Sequence, residues 1–288
     1  MYGNVGDLLI MFGTLNFFAQ RGIQISSLAT YFNFRATQVG KNDVIAFQGG
    51  GNFGDIYGAF QAFRERLIEQ FPQNRLVVMP QSIHFSSACA LDRCIAICRK
   101  HKDLHIFVRD HESLALATRM TPNARLAPDM AHHLWPVGNS DDLSPKPARV
   151  LHLLRRDAEA AGNTGKSSVL AFDWDDLVGP GWRFFLSQIV ERAVTQSHLR
   201  LGLGALFGSW VVKAWIWQAR RFVTQATNVF AQHEKVESDR LHAHILSMLM
   251  SKPNRILDNS YGKNSRYIST WTKPSPFVEL VEHQPPRV

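Results

Sequence analysis

Apolar and polar residues alternate in blocks along the first half of the chain. Short apolar runs at 44–48, 76–79, 104–108 and 124–127 each end in glycine or polar residues. Runs of this length, rich in Val, Ile and Leu, predict buried strands of a parallel sheet. Before and between them, residues 8–20, 57–71, 91–100 and 112–120 predict helices; in the first, Leu9, Phe12, Leu15, Phe18 and Ala19 fall near one face. A strand–helix alternation with polar residues after the strands is the pattern of a doubly wound parallel sheet, which binds ligands beyond the C-terminal strand ends. Gly49 to Asn52, Gln81, Ser82, Arg109 and Asp129 would share that rim.

Residues 136–148, with three prolines and a glycine, read as a linker. Beyond it, 149–154, 168–173, 228–232 and 252–257 predict strands, with helices over about 182–226. The expected organisation is a Rossmann-like lobe over 1–146 and a more helical Rossmann-like lobe over 147–288. The tail from Pro274 carries four prolines and predicts poor order at its end.

Composition sharpens this picture. The chain has 288 residues, 45% hydrophobic, with a formal net charge of +8 and a pI near 9.6. That suits an anionic substrate, an anionic membrane surface or nucleic acid. Nucleic acid is disfavoured, because the aromatics do not interleave with the basic residues in a recognisable module. Cys89, Cys94 and Cys98 cluster in one segment and read as thiols in a reducing, cytoplasmic setting, with Cys94 and Cys98 on one helix face. No basic region precedes an apolar core at the N-terminus. Residues 199–217 are long enough to span a bilayer, but Arg200, Lys213 and three glycines argue for a core helix with a basic outer face. Trp210, Trp215 and Trp217, followed by Arg220 and Arg221, would suit a peripheral seat at a headgroup layer.

The chemistry concentrates at Glu237-Ser238-Asp239-Arg240-Leu241-His242-Ala243-His244, just before the apolar run 245–250. An acid, a guanidinium and two imidazoles stand where a helix begins. Helix N-termini favour anions. Arg240 offers a planar fork matched to phosphate or carboxylate. His242 can move a proton near neutral pH. His244, two positions on, points elsewhere on a helix and reads as structural. The bland alternative is a Ser/Asp cap with a surface arginine. Gly3-Asn4-Val5-Gly6-Asp7 reads as a tight turn opening a helix; Asp7 would act as a base, face a sugar hydroxyl or cap the helix. Gly49, Gly50 and Gly51 would admit a close ligand, with Asn52 and Asp55 capping the next helix. Arg109 is either a second guanidinium of the site or a surface partner of Asp110 or Glu112. Asn259, Ser260 and Tyr261 form a polar loop or a plain turn. No metal cluster and no dinucleotide fingerprint is read.

Five stretches in order resemble the polysaccharide pyruvyl transferase family, of the exopolysaccharide ketal type. They are Gly3-Asn4-Val5-Gly6-Asp7, Gly49-Gly50-Gly51-Asn52-Phe53-Gly54-Asp55, Pro80-Gln81-Ser82-Ile83, Phe107-Val108-Arg109-Asp110 and Asp239-Arg240-Leu241-His242. The segment Leu257 to Asn264 is similar as well. Ser238 departs from the threonine many relatives carry there, and comparison with the extended segment relatives carry before Gly3-Asn4-Val5-Gly6-Asp7 implies that the first strand of the 1–146 lobe is missing. The resemblance implies two Rossmann-like lobes around a cleft, similar to GT-B glycosyltransferases, with phosphoenolpyruvate as donor and no cofactor. It implies transfer of the enolpyruvyl unit to a saccharide acceptor, lipid-linked or polymeric, closing a pyruvate ketal. Arg240 and Arg109 would hold the donor's phosphate and carboxylate, and His242 would protonate its methylene carbon. Asp7 or a histidine would take the hydroxyl proton. Leu241, Gly3, Asn4, Gly6, Gly50, Gly51, Asn52, Gln81, Ser82, Asn259, Ser260 and Tyr261 complete the expected site. The alternatives are a nucleotide-sugar glycosyltransferase and a basic membrane-associated scaffold.

Overall fold

The computed structural model describes residues 4–31, 34–137, 149–156, 172–177, 204–258 and 262–281. The chain forms two compact units, each assembled from segments distant in sequence. One comprises Ile10–His133 with Arg266–Pro274; the other comprises Met1–Leu9, Leu134–Ser265 and Ser275–Val288. The protein is α/β, with one parallel sheet in each unit.

The first sheet has β1 (Ile45–Phe47), β2 (Gly50–Gly54), β3 (Leu76–His84), β4 (Leu104–Val108) and β5 (Ala124–Leu126). Its order is β1-β3-β4-β5, with β2 also paired to β3, and all pairs are parallel. β1 and β2 thus run along the same strand in succession: Ile45 faces Leu76, and Gly54 faces His84. Helices α2 (Gly58–Gln70), α3 (Ala88–Lys100) and α4 (His111–Met120) bury Leu67, Ile68, Cys94, Ile95, Cys98, Ala117 and Met120 in a core with Val78, Ile106 and Val108. Cys94 and Cys98 are buried and Cys89 is exposed; none of the three forms a disulfide.

Two local features depart from the expected pattern. The strand predicted to stop at Met79 continues through Pro80 to His84. Proline lacks an N–H, yet no ladder bond is lost, because pairing is irregular there on both sides: β1 pairs only as far as Val78, and β2 and β4 resume at Gln81. The glycines after β1 open the strand β2 rather than a loop, and the sheet itself accounts for them. A Cβ on Gly49 would lie 2.6 Å from the Pro80 carbonyl oxygen, and Gly50 sits at φ +128°.

The second sheet has β6 (Val150–Leu153), β7 (Lys235–Ser238), β8 (Asn254–Leu257) and β9 (Val278–Val281), parallel in that order. A further parallel bridge joins Leu153 to Phe172. Residues 228–232, predicted as a strand, instead belong to the helix Gly204–Ala231 apart from Gln232, which turns. Ala219, Phe222, Ala226 and Phe230 recur at helical spacing and are all buried, and that face overrides the extended reading of this run. The strand follows at Lys235. β9 lies in the tail that sequence left unassigned. The described part of this unit buries Leu151, Leu153, Val236 and Ile256 from the sheet and Leu241, Ile245, Leu246 and Leu249 from the helix after β7.

Arg109 is fully buried, with Nη1 2.5 Å from Asp129 Oδ2 and Nη2 donating to Ser82 Oγ at 3.1 Å. Removing one partner of a buried pair leaves an uncompensated charge. Asp129→Ala should therefore cost about 3–5 kcal/mol, read as a lowered urea midpoint. An unchanged midpoint would show that the pair does not hold this unit together.

Candidate functional site

Parallel strands deliver the candidate residues to their C-terminal ends. β7 ends at Ser238, and Asp239 and Arg240 follow before the Leu241–Leu249 helix, whose N-cap is Arg240. The Ser238 hydroxyl donates to the Leu153 carbonyl of neighbouring β6 at 2.5 Å and accepts the Arg240 N–H at 3.0 Å. It thus ties the strand end to the helix start. A threonine hydroxyl would make the same two bonds, so the departure from the family pattern is chemically neutral.

Arg240 is buried, with Nη2 2.5 Å from Asp173 Oδ2. Asp173 is fixed in turn: its carboxylate accepts the N–H of Trp174 at 2.6 Å and of Arg156 at 3.2 Å. Trp174 stacks on Phe230 at 5.9 Å between ring centroids, which anchors this turn to the long helix. A guanidinium is a planar fork of N–H donors, so the carboxylate fixes the plane of the group. Asp239 accepts the Arg155 N–H at 2.8 Å, and the Asn264 amide donates to the Asp239 and Leu257 carbonyls at 2.7 and 2.8 Å. Burial pushes the Asp239 carboxyl above the usual range, against the Arg155 hydrogen bond and the nearby arginine charges. Burial, followed by the charge of Asp173, does the same to Asp175.

His242 lies in the first turn of this helix and is half-buried. The first helix, α1 (Val5–Gln20), brings its opening turn against it. A methyl group added at Gly6 would sit 2.6 Å from His242 Nδ1. The tight turn expected over Gly3 to Asp7 is, from Val5 on, already helix, because Asn4 takes the cap: its Oδ1 accepts the Gly6 N–H at 3.0 Å. Asp7 is exposed in that first turn, and its carboxylate accepts from the Asn4 amide at 3.2 Å. So Asn4, Gly6, Asp7, Arg240 and His242 belong to one unit, with two helix N-termini meeting at the Gly6–His242 contact. Helix N-termini together favour an anion.

The other candidates fall elsewhere or in other roles. Leu241 is a core side chain, so only its backbone could serve a ligand. His244 is buried, with Nδ1 2.8 Å from Asn254 Oδ1. The Asn254 amide nitrogen already donates to the Lys252 and Phe277 carbonyls, so the histidine is the donor. In the first sheet, Gln81 donates to the Gln48 carbonyl at 2.7 Å and to Asn52 Oδ1 at 3.2 Å, and Asn52 Oδ1 also accepts from Arg64 at 2.8 Å. Ser82 links Arg109 to Asp110, the cap of α4. Gly50, Gly51, Asn52, Gln81 and Ser82 thus lie in the strand pair β2–β3, and the Arg109 fork is engaged by Asp129 and Ser82. Neither of the surface pairings expected for Arg109 occurs. Asp55 does not cap α2 but accepts from the Ser86 and Ser87 N–H groups and the Ser86 hydroxyl. Gly3, Asn259, Ser260 and Tyr261 lie outside the described residues. Among the described residues no three metal-ligating side chains gather.

Sequence reasoning passed over Asp173, Asn264 and Arg155. Asp173 was legible only as an acid at the end of a predicted strand. Nothing local marks Asn264 as the clamp between Asp239 and Leu257.

Comparisons with known proteins identify the family. Residues 4–261 match the family model of polysaccharide pyruvyl transferases. A Bacillus subtilis protein, EpsO, whose name places it among the pyruvyl transferases, is 38% identical over 288 residues, covering 98% of this chain and 86% of its own. Pyruvyl transferase 1 of Schizosaccharomyces pombe is 26% identical over 244 residues, covering 79% of this chain and 54% of its own. A crystal structure of an uncharacterized Klebsiella pneumoniae protein shares the fold, with a TM-score of 0.64 at 20% identity over 97% of this chain and 89% of that one. The chain is an enzyme of the polysaccharide pyruvyl transferase family.

Proposed function

We propose that this enzyme moves the pyruvyl unit of phosphoenolpyruvate onto two hydroxyls of one saccharide residue, releasing phosphate and forming a pyruvate ketal. The observation that carries the reading is the convergence of two helix N-termini, Arg240 and His242 in one unit. Such a place accepts a small trianion, and it supplies a proton carrier beside it.

The chemistry follows from the groups present. Arg240, held in plane by Asp173, binds the donor's phosphate or carboxylate. His242, protonated, gives its proton to the methylene carbon, and C2 becomes electrophilic. A sugar hydroxyl oxygen bonds to C2, its proton passing to Asp7 or to solvent. The C2–O bond to phosphate then breaks, and the cationic surroundings stabilise the departing charge. A neighbouring hydroxyl bonds to C2 and loses its proton, closing the ketal. The methyl group gains one proton, two hydroxyl protons are released, and phosphate carries away the electron pair.

The test is phosphate release from phosphoenolpyruvate with a panel of galactosides, glucosides and mannosides, soluble and lipid-linked. Acceptor-dependent release supports the assignment. Release that instead requires a nucleotide-sugar, with phosphoenolpyruvate inert, would move it to the glycosyltransferases.

Three variants test the residue roles. Arg240→Lys keeps the charge but loses the fork, so KM for the donor should rise at least about tenfold; donor kinetics equal to the parent's would remove Arg240 from the donor site. His242→Gln should lower kcat about a hundredfold or more with little change in donor affinity. A change confined to donor affinity would make His242 a binding residue. Gly6→Ala should displace the His242 ring and lower kcat by about tenfold to a hundredfold. A matched melting temperature would separate this from unfolding, and full activity would show that the contact is not needed for turnover.

A further inference from the structure

The helix Gly204–Ala231 is two-sided in a way the catalytic site does not explain. Ala219, Phe222, Ala226 and Phe230 face the core. Lys213, Trp217, Arg220, Arg221, Thr224 and Asn228 are exposed, at spacings that put them along one outer face. The helix's 28 residues contain three cations and no acid. Exposed charged faces of ordinary helices mix signs; this one does not.

At the centre of the face stands Trp217, 58% exposed, with the Arg221 guanidinium 4.9 Å from its ring centroid. Trp217, Arg220, Arg221, Thr224 and Gln225 line a shallow hollow of about 230 Å³. Its walls are one indole face, two guanidinia, a hydroxyl and an amide. That combination is chemically specific. Guanidinia and a hydroxyl bind a phosphodiester, and an indole favours the boundary between headgroup and acyl chain. Among the described residues no helix is long and apolar enough to cross a membrane, so the arrangement fits contact along a surface.

We propose that this outer face docks the enzyme on an anionic lipid surface, with Trp217 at the headgroup boundary and Arg220 and Arg221 on lipid phosphates. The positive charge of the whole chain adds long-range attraction, and the hollow adds local recognition. The proposal does not depend on the identity of the donor or acceptor, because none of these residues belongs to the Arg240–His242 site.

The test is flotation of the full chain with vesicles of neutral phosphatidylcholine, and with vesicles containing about 30 mol % phosphatidylserine. The parent should float with the anionic vesicles only, and added salt should release it. The variant Trp217→Ala/Arg220→Gln/Arg221→Gln should lose at least about tenfold in partitioning, with an unchanged circular dichroism spectrum and unchanged turnover of a soluble acceptor. Three results would overturn the proposal. One is no flotation of the parent at low salt. Another is equal flotation of parent and variant. The third is displacement of the bound parent by a soluble polyanion at matched charge, which would make the face a generic polyanion contact.

Discussion

The candidate site is built on the close approach of Gly6 to the His242 ring. Any larger residue at position 6 would place a carbon 2.6 Å from Nδ1, inside the closest approach real atoms make. The contact depends on Asn4, whose side chain caps α1 and starts the helix early enough to bring Gly6 to the ring. It depends equally on Ser238, which fixes where β7 stops and the Leu241–Leu249 helix begins. Neither Asn4 nor Ser238 carries a charge. The imidazole therefore occupies room left by a missing methyl group, between helix starts that two hydrogen-bonding side chains hold, at positions where substitution looks conservative.

Two arginines that look alike in sequence end in different states. Arg109 and Arg240 both follow a parallel strand and both stand beside an aspartate. Arg109 is sealed against Asp129 and Ser82, and Asp110 beside it caps α4. Arg240 is itself an N-cap, and its carboxylate partner comes from Asp173, 67 positions away in sequence. A strand-end arginine is thus ambiguous until its long-range partner is known. In a closed ion pair with no accessible surface it holds the fold. Paired with an aspartate at a helix start, it stands where the helix dipole favours an anion.

The sheets were legible because buried parallel strands are continuous apolar runs. β1, β3, β4, β5, β6 and β8 all appear at or within a few residues of where hydrophobicity puts them. β2 was hidden, because its glycines resemble a ligand loop and only the carbonyls of Pro80 and His84 reveal the close approach that demands them. Residues 228–231 were read as extended from local composition, although Ala219, Phe222, Ala226 and Phe230 already carried the helical period. At the site, Arg240, His242 and the Asn4–Asp7 turn could be read from residue type and position at element ends. Asp173, Asn264 and the Gly6 contact could not, since each exists only through a partner distant in the chain.

In the proposed reaction the pyruvyl unit leaves phosphoenolpyruvate after protonation at its methylene carbon and ends on two hydroxyls. The most direct measurement is the NMR spectrum of the product formed in heavy water from phosphoenolpyruvate and the acceptor that supports phosphate release. The account predicts a ketal methyl group carrying one deuterium, with one phosphate released per ketal. A product that keeps the vinyl methylene as an enolpyruvyl ether, or one that retains phosphorus, would contradict it.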